Sequence, residues 1–351
     1  MFIGFDLNIS KNSNIFNGSI DYYDCINIGT KHLEEQKAVY QKELEDYIKD
    51  KEVDGTKMQD EWFPQVEADV FISHSHDDAG LVCALAGWLN KTFGLNCFID
   101  SNVWGYSGNL LKIMNSKLSN ERKSKDGGYP YNYNSCNRVS QHVNMMLSVA
   151  LQKMIDKVEV VILLNTDNSI SVCTDEKMRK TYSPWIYLEM IFTQLVEKKP
   201  LFSYRNYKRL IHSDAENMTL GNYYLALEQF LVSYKFSLEH LIQIEENNLS
   251  EWKIEYQNEE YEYSLDALYK FFCPEEVKSA KEMSIILNPG QVDCIKSYYA
   301  GRNKDIDKMK YIFENVMDRE RRCSRHRCLY CREYCYYRDF FIQKNKERLN
   351  D

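Results

Sequence analysis

The sequence predicts an α/β fold: a parallel sheet flanked by helices, with helical additions at both chain ends. Three observations carry this expectation. The runs Ala68–Ser73, Leu95–Ile99 and Val158–Leu164 are largely apolar rather than alternating, the pattern of strands buried on both faces. Stretches of helical periodicity separate them. Each run also opens into a polar loop, at Ser73–Asp78, Asp100–Gly108 and Asn165–Ser169. Parallel sheets bind their ligands outside the carboxyl ends of the strands, so the polar chemistry of this chain gathers on one rim.

Taken in order, residues 1–30 are rich in Asn, Ile and Tyr and show no strong pattern. From Lys31 to about Lys51, Val39, Tyr40, Leu44, Tyr47 and Ile48 form the stripe of an amphipathic helix. Asp54-Gly55 breaks it. After the first strand, Leu81, Val82, Leu85, Trp88 and Leu89 share one face of a helix over Asp78–Thr92, which Gly94 closes. A further helix begins near Asn109. Residues 120–139 read as an irregular insertion, and Ser140 starts a Met-rich helix to about Lys157. Beyond Pro200, Tyr223–Ser233 and Leu238–Ile244 read as helices, Tyr234–Ser237 as a late strand and Leu265–Tyr269 as a short helix. The expected domains are an N-terminal helical extension over 1–65, an α/β domain over 66–272 with its core at about 66–205, and a helical, Cys-containing tail over 273–351.

Composition excludes several function classes. A net charge of −8 over 351 residues argues against a general nucleic-acid binder, which needs a broadly basic face. No apolar run approaches the ~20 residues of a membrane helix. Met1–Phe5 lacks the basic start and apolar run of a signal peptide. The 11 cysteines are scattered rather than arranged as a disulfide framework. A cytoplasmic protein is expected.

The segment Tyr182–Val196 stands apart. Ser183 is a good N-cap and Pro184 suits the first helical turn. Trp185, Leu188, Phe192, Leu195 and Val196 recur at helical spacing, and Ile186, Met190 and Ile191 widen the apolar surface. Within it Glu189 is the sole formal charge between Lys180 and Glu197. A lone carboxylate in a buried helix costs desolvation energy that Gln or Leu would avoid. It either pairs with a cation or serves chemistry.

These residues resemble a family. Asp69-Val70-Phe71-Ile72-Ser73 is similar to the first sequence box of Toll/interleukin-1 receptor (TIR) domains. Phe98-Ile99-Asp100 and the loop after it resemble the second strand and BB loop. Trp185-Ile186-Tyr187-Leu188-Glu189 resembles the Trp-x-x-x-Glu signature of NAD-cleaving TIR enzymes. Residues 60–272 further resemble bacterial TIR proteins of anti-phage systems of the Thoeris kind. The resemblance implies a flavodoxin-like sheet and Glu189 as the catalytic carboxylate. It implies NAD as substrate, with no resident cofactor, and an ADP-ribose-derived product sensed by a downstream effector protein. It also implies self-assembly through TIR–TIR contacts. The chain departs from the animal pattern at the insertion 120–139 and at His74-Ser75-His76.

Cleavage of the nicotinamide–ribose bond develops positive charge on the ribose, which a carboxylate can stabilise as acidic residues do in glycosidases. Nicotinamide is already a cationic leaving group, so no general acid is needed. Ser73, His74 and Ser75 could bond ribose or phosphate. Asp100 is a further binding candidate, whereas Asp69, and Asp100 on the alternative reading, could merely cap loops. Trp104 and Tyr106 either stack on a nicotinamide or adenine ring or anchor their loop in the core, and Trp185 is open to the same two readings.

Three alternatives stay open. The chain could be a non-enzymatic TIR scaffold that only assembles with other proteins. It could be a metallohydrolase, since His74-Ser75-His76-Asp77-Asp78 reads as His-x-His-x-Asp, although Ala79 stands where that motif needs a third His. In the tail, Cys323, Cys328, Cys331 and Cys335 either bind zinc or are buried thiols.

Overall fold

The protein is described by a computed structural model covering residues 1–17, 21–36, 48–49, 52–104, 107–119, 132–173, 178–205 and 232–286. Its main sheet is built from β1 (Ile3–Asn8), β4 (Val70–Ser73), β5 (Cys97–Phe98), β6 (Val160–Leu164) and β10 (Ile242–Glu245). The spatial order is β10-β1-β6-β4-β5, and every pair is parallel. β4, β5 and β6 are buried at every residue, as their unbroken apolar character demands. A two-stranded hairpin joins β2 (Ile48–Lys49) to β3 (Glu52–Val53). An antiparallel sheet of β7 (Ser171–Val172), β8 (Met178–Thr181) and β9 (Tyr234–Ser237) lies beside the helix that carries Glu189.

The helices in chain order are α1 (Tyr22–Glu35), α2 (Gly55–Trp62), α3 (Ala79–Phe93), α4 (Asp100–Val103), α5 (Ser107–Leu118), α6 (Tyr133–Lys157), α7 (Pro184–Leu195), α8 (Glu246–Asn258), α9 (Ser264–Phe272) and α10 (Pro274–Ile286). Local chemistry sets their ends. The carboxylate of Asp21 accepts from the Asp24 N–H at 2.8 Å, and Asn132 accepts from the Ser135 N–H at 3.0 Å. Gly94 ends α3 at φ 68°, a left-handed conformation that side chains rarely adopt. Helix α1 packs on α3 at very short range, because Gly29 faces the Cys83 carbonyl and Gly87 faces the Cys25 carbonyl.

The flavodoxin-like arrangement is compatible with this layout, but the sheet differs from expectation at two places. Residues 1–65 do not form an outlying helical extension. They supply β1, an inner strand bonded to β6 on one side and β10 on the other. Leu238–Ile244 is likewise not a helix, since Ile242–Glu245 closes the sheet edge. Pairing decides both segments, where local pattern is weak or short. Ile48 belongs to a strand rather than to the predicted amphipathic helix, most of whose residues lie outside those described. Helix α6 begins at Tyr133 rather than Ser140, taking in the last residues of the expected insertion.

The chain divides into two compact units. The first holds Ile3–Glu197 and His212–Ile254, including all five parallel strands. The second holds Lys198–Ile211 and Glu255–Asp351, so the expected α/β domain over 66–272 divides between the two units. Within the second unit, Arg205 and Asp266 form a buried ion pair, and the Arg205 guanidinium lies 4.6 Å from the Tyr263 ring centroid.

Chain direction reverses around β6. The connections leaving β1 and β4 run towards the β5 edge, whereas the one leaving β6 runs towards β10. The gap between β6 and β4 is therefore the switch point, where adjacent loops part and leave a crevice. Asp6, Leu163 and Ser73 stand in one row across these three strands. In-register neighbours of a parallel sheet point to the same face, here the face covered by α7, because Leu163 clusters with Ile186, Met190 and Phe236.

A Cβ at position 29 would lie 1.9 Å from the Cys83 carbonyl oxygen, and one at position 87 would lie 1.9 Å from that of Cys25. Gly29→Ala and Gly87→Ala should each lower unfolding free energy by about 1–3 kcal/mol, the usual cost of overpacking. Urea titration followed by circular dichroism measures this, and unchanged midpoints would refute the close helix crossing.

Candidate active site at the carboxyl ends of β4 and β6

Helix α7 starts as its sequence requires, with the Ser183 hydroxyl accepting from the Ile186 N–H at 3.3 Å and Pro184 in the first turn. Its core face differs from the one expected. Ile186, Glu189, Met190 and Thr193 are buried, whereas Trp185, Leu188 and Phe192 are half-buried and Leu195 is 73% exposed. A helix apolar nearly all round does not single out one inward face, and packing against Leu163 and Phe236 selects this one.

Glu189 is 3% exposed. The Ser73 hydroxyl, at the last residue of β4, donates to its Oε2 at 2.5 Å. Among the described residues no cation pairs with it. Burial first, and then the Asp100 carboxylate, push the Glu189 carboxyl well above the ordinary range, while the bond from Ser73 opposes them. The protonated form is thus favoured while the site holds no positive charge.

Asp100 opens α4 and also lies within electrostatic reach of His74. The His74 ring is buried. Its Nδ1 lies 3.3 Å from the Ile72 carbonyl oxygen, to which it donates, leaving Nε2 to accept from the Ser101 hydroxyl at 3.4 Å. Burial lowers the imidazole pKa despite the pull of Asp100, so this tautomer is neutral. Ser73, His74, Asp100 and Glu189 thus form one electrostatically linked group at the ends of β4 and β5.

The other candidates fare differently. The Ser75 hydroxyl accepts from the Asp77 N–H at 3.4 Å, capping the 3-10 turn His76–Asp78. His76 is exposed, its ring parallel to that of His74 at 6.2 Å. Trp104 is not available as a stacking platform. It is 8% exposed, donates its indole N–H to the Pro64 carbonyl at 2.8 Å, and meets Phe63 and Phe98 edge-on. Its ring is a core anchor because apolar partners and a carbonyl acceptor are both within reach. Trp185 is half-buried, one turn before Glu189. Asp69 accepts from the Asn96 N–H at 2.8 Å and so ties β4 to the approach of β5. Tyr106 and the tail cysteines Cys323, Cys328, Cys331 and Cys335 lie outside the described residues. Among the described residues no group of three or more His, Cys, Asp or Glu is placed to hold a metal, and both ring nitrogens of His74 are engaged.

Two further polar groups stand on this rim: Asp78, which the sequence offered only as part of the His-x-His-x-Asp pattern, and Asp6, which sequence reasoning missed. Asp78 accepts from the Thr166 hydroxyl and, at 2.8 Å, from the Asn168 side chain, clamping the loops after β4 and β6 together. Asp6, 5% exposed, accepts from the Asn165 side chain at 2.8 Å. The only signal available for Asp6 was an acidic residue in a short apolar run.

No family model, curated protein or solved structure matches the chain.

A carboxyl that holds its proton more tightly when folded contributes most at low pH. That contribution is lost as pH rises from the unfolded value towards the folded one. Glu189→Gln cannot ionise, so its melting temperature should gain on the wild type steadily as pH rises above the ordinary carboxyl range. A pH-independent difference, or one of opposite sign, would mean that a cation neutralises Glu189. Trp104→Phe should cost about 0.5–1.5 kcal/mol for the lost indole bond and leave ligand affinity unchanged. Weakened NAD binding at unchanged stability would restore Trp104 as a ligand contact.

Proposed function

We propose that the chain is an NAD-cleaving enzyme of the TIR kind, releasing nicotinamide and producing an ADP-ribose-derived signal. One observation carries the reading: Glu189 is buried, is bonded to the Ser73 hydroxyl, has no paired cation among the described residues, and sits where parallel sheets place ligands. The ordered sequence boxes around Asp69–Ser73, Phe98–Asp100 and Trp185–Glu189 supply the chemical class.

In this mechanism the nicotinamide ring brings the positive charge that the site lacks. Its entry offsets the desolvation of Glu189 and favours the carboxylate, so binding releases the proton the empty site prefers to keep. The C1′–N bond then breaks with its electron pair leaving on the nicotinamide nitrogen. The positive charge developing at C1′ faces Glu189 in a low-dielectric setting, where the interaction is strongest. A water or hydroxyl oxygen forms the new bond to C1′ and gives up its proton. Ser73 positions the carboxylate. His74, neutral and held by Ile72 and Ser101, and Asp100 would orient the ribose. NAD is substrate here, and no resident cofactor is required.

The setting that fits this chemistry is bacterial anti-phage defence in the cytoplasm, with a downstream effector protein sensing the product. A second reading, assembly with other TIR chains as a scaffold, is favoured by the outward face of α7. There Leu195 is 73% exposed beside half-buried Trp185, Leu188 and Phe192. Assembly through that face is compatible with catalysis by the buried one.

Glu189→Gln should retain the fold and NAD binding but lose nicotinamide release by about 10²–10³-fold, the usual cost of removing one electrostatic partner of the transition state. Mass-resolved products from NAD, with an activated preparation or in cells where the wild type depletes NAD, measure it. Wild-type turnover in the variant would falsify the catalytic role and leave the scaffold.

A further inference from the structure

Bond cleavage at C1′ leaves one proton without an acceptor. The oxygen that bonds to C1′ must shed it, and Glu189 is badly placed to take it. That carboxyl is 3% exposed and is needed in its ionised form opposite the developing cation. An acceptor must also pass its proton on to water between turnovers, so it has to reach solvent. Asp100 meets these conditions. β5 runs parallel to β4 with Phe98 opposite Phe71, and Ile99 keeps an extended backbone at φ −132° and ψ 114°. The Ser101 hydroxyl meets the His74 ring, so the same register holds three residues further on. Asp100 is therefore level with Ser73, one strand spacing or roughly 5 Å away, and the Ser73 hydroxyl is bonded to Glu189. The charge of Asp100 bears on both Glu189 and His74. Unlike Ser73 and Glu189, Asp100 is half-buried rather than buried. Its carboxylate makes no hydrogen bond or ion pair among the described residues, so acceptor capacity remains. Asp69 and Asp78 differ, since each is bonded to a neighbouring loop.

We propose that Asp100 is the general base of the reaction, taking the proton from the oxygen that attacks C1′. The proposal rests on the NAD reading above and adds a proton transfer to the orientation of the ribose. The electron pair of the C1′–N bond leaves with nicotinamide, which departs neutral. A lone pair of the attacking oxygen forms the C1′–O bond, its proton passes to the Asp100 carboxylate, and water removes it. One carboxylate facing the sugar cation while a second activates the attacking oxygen is a division of labour that glycosidases use. Glu189 serves the breaking bond and Asp100 the forming one, so their variants fail differently.

The test uses the full-length protein in an activated preparation, given NAD and isotopically labelled nicotinamide. Two rates are resolved by mass: formation of products with a new C1′–O bond, which needs the proton removed, and exchange of labelled nicotinamide into NAD, which does not. Both need Glu189. Asp100→Asn nearly conserves volume and should lower the ratio of the first rate to the second about a hundredfold, the low end of what a positioned base contributes. Exchange itself should persist. A merely structural role lowers both rates alike, so an unchanged ratio in folded Asp100→Asn protein overturns the proposal and leaves the NAD reading in place. Should that variant fail to fold, the wild type in heavy water decides. Its ratio should fall, because a proton moves in one branch only, and an unchanged ratio overturns the proposal. A wild-type protein that neither releases nor exchanges nicotinamide removes the NAD reading and this inference together.

Discussion

The bond from the Ser73 hydroxyl to Glu189 joins the end of a central strand to the middle of a helix 116 residues later in sequence. The site depends on that contact being made in a place that does not favour it. With no cation beside it among the described residues, the Glu189 carboxyl pays for its burial, so α7 is held down by something else. The apolar cluster of Leu163, Ile170, Ile186, Met190, Phe236, Leu238 and Leu241 does this, and the Gln194 side chain adds a 2.8 Å bond to the Ser237 carbonyl. Packing positions Glu189, and its electrostatics are left unbalanced.

The second compact unit supplies an internal contrast. Asp266 is as deeply buried as Glu189, but Arg205 bonds it through two guanidinium nitrogens and lies over the Tyr263 ring. That is how this chain buries an acid for structural purposes: a delocalised cation, a fork of donors and an aromatic face. Glu189 has one hydroxyl. The difference is chemical rather than one of depth, and it separates a carboxyl kept for cohesion from one available to a ligand.

How far these features were legible depends on how local their causes are. Val70–Ser73 and Val160–Leu164 could be read because an unbroken apolar run between turn residues is a local signal. The start of α7 could be read because Ser183-Pro184 is a capping pattern. β1 could not, since Ile3-Gly4-Phe5-Asp6-Leu7-Asn8 interrupts its apolar residues with Gly4 and Asp6. It is a strand because β6 and β10 pair with it from distant parts of the chain. β10 alternates over four residues, too few to separate a strand from a helix end. In the site, Glu189 was visible as a lone charge in an apolar helix. Trp104 was misleading, because a loop aromatic near a strand end reads alike whether it faces ligand or core. Asp6 was invisible for the same reason as β1, since its meaning comes from its row in the sheet.

The polar rim carries more acid than base, and this sets the kind of ligand it can accept. Glu189 and Asp100 repel one another's ionised forms, and His74 is held neutral by burial and by two fixed partners. Nothing in this group offers a phosphate a positive charge, whereas a cationic ring offers Glu189 what it lacks. Under the proposed function, complementarity would run from an electron-deficient ligand ring to a carboxyl that has no cationic partner among the described residues. Ser73 ends a central strand, and Glu189 lies on a helix whose Ile186 and Met190 pack in the Leu163 cluster. Under the proposed function the buried carboxyl is preorganised for a counter-charge that the ligand brings, and would act on a developing cation rather than on water.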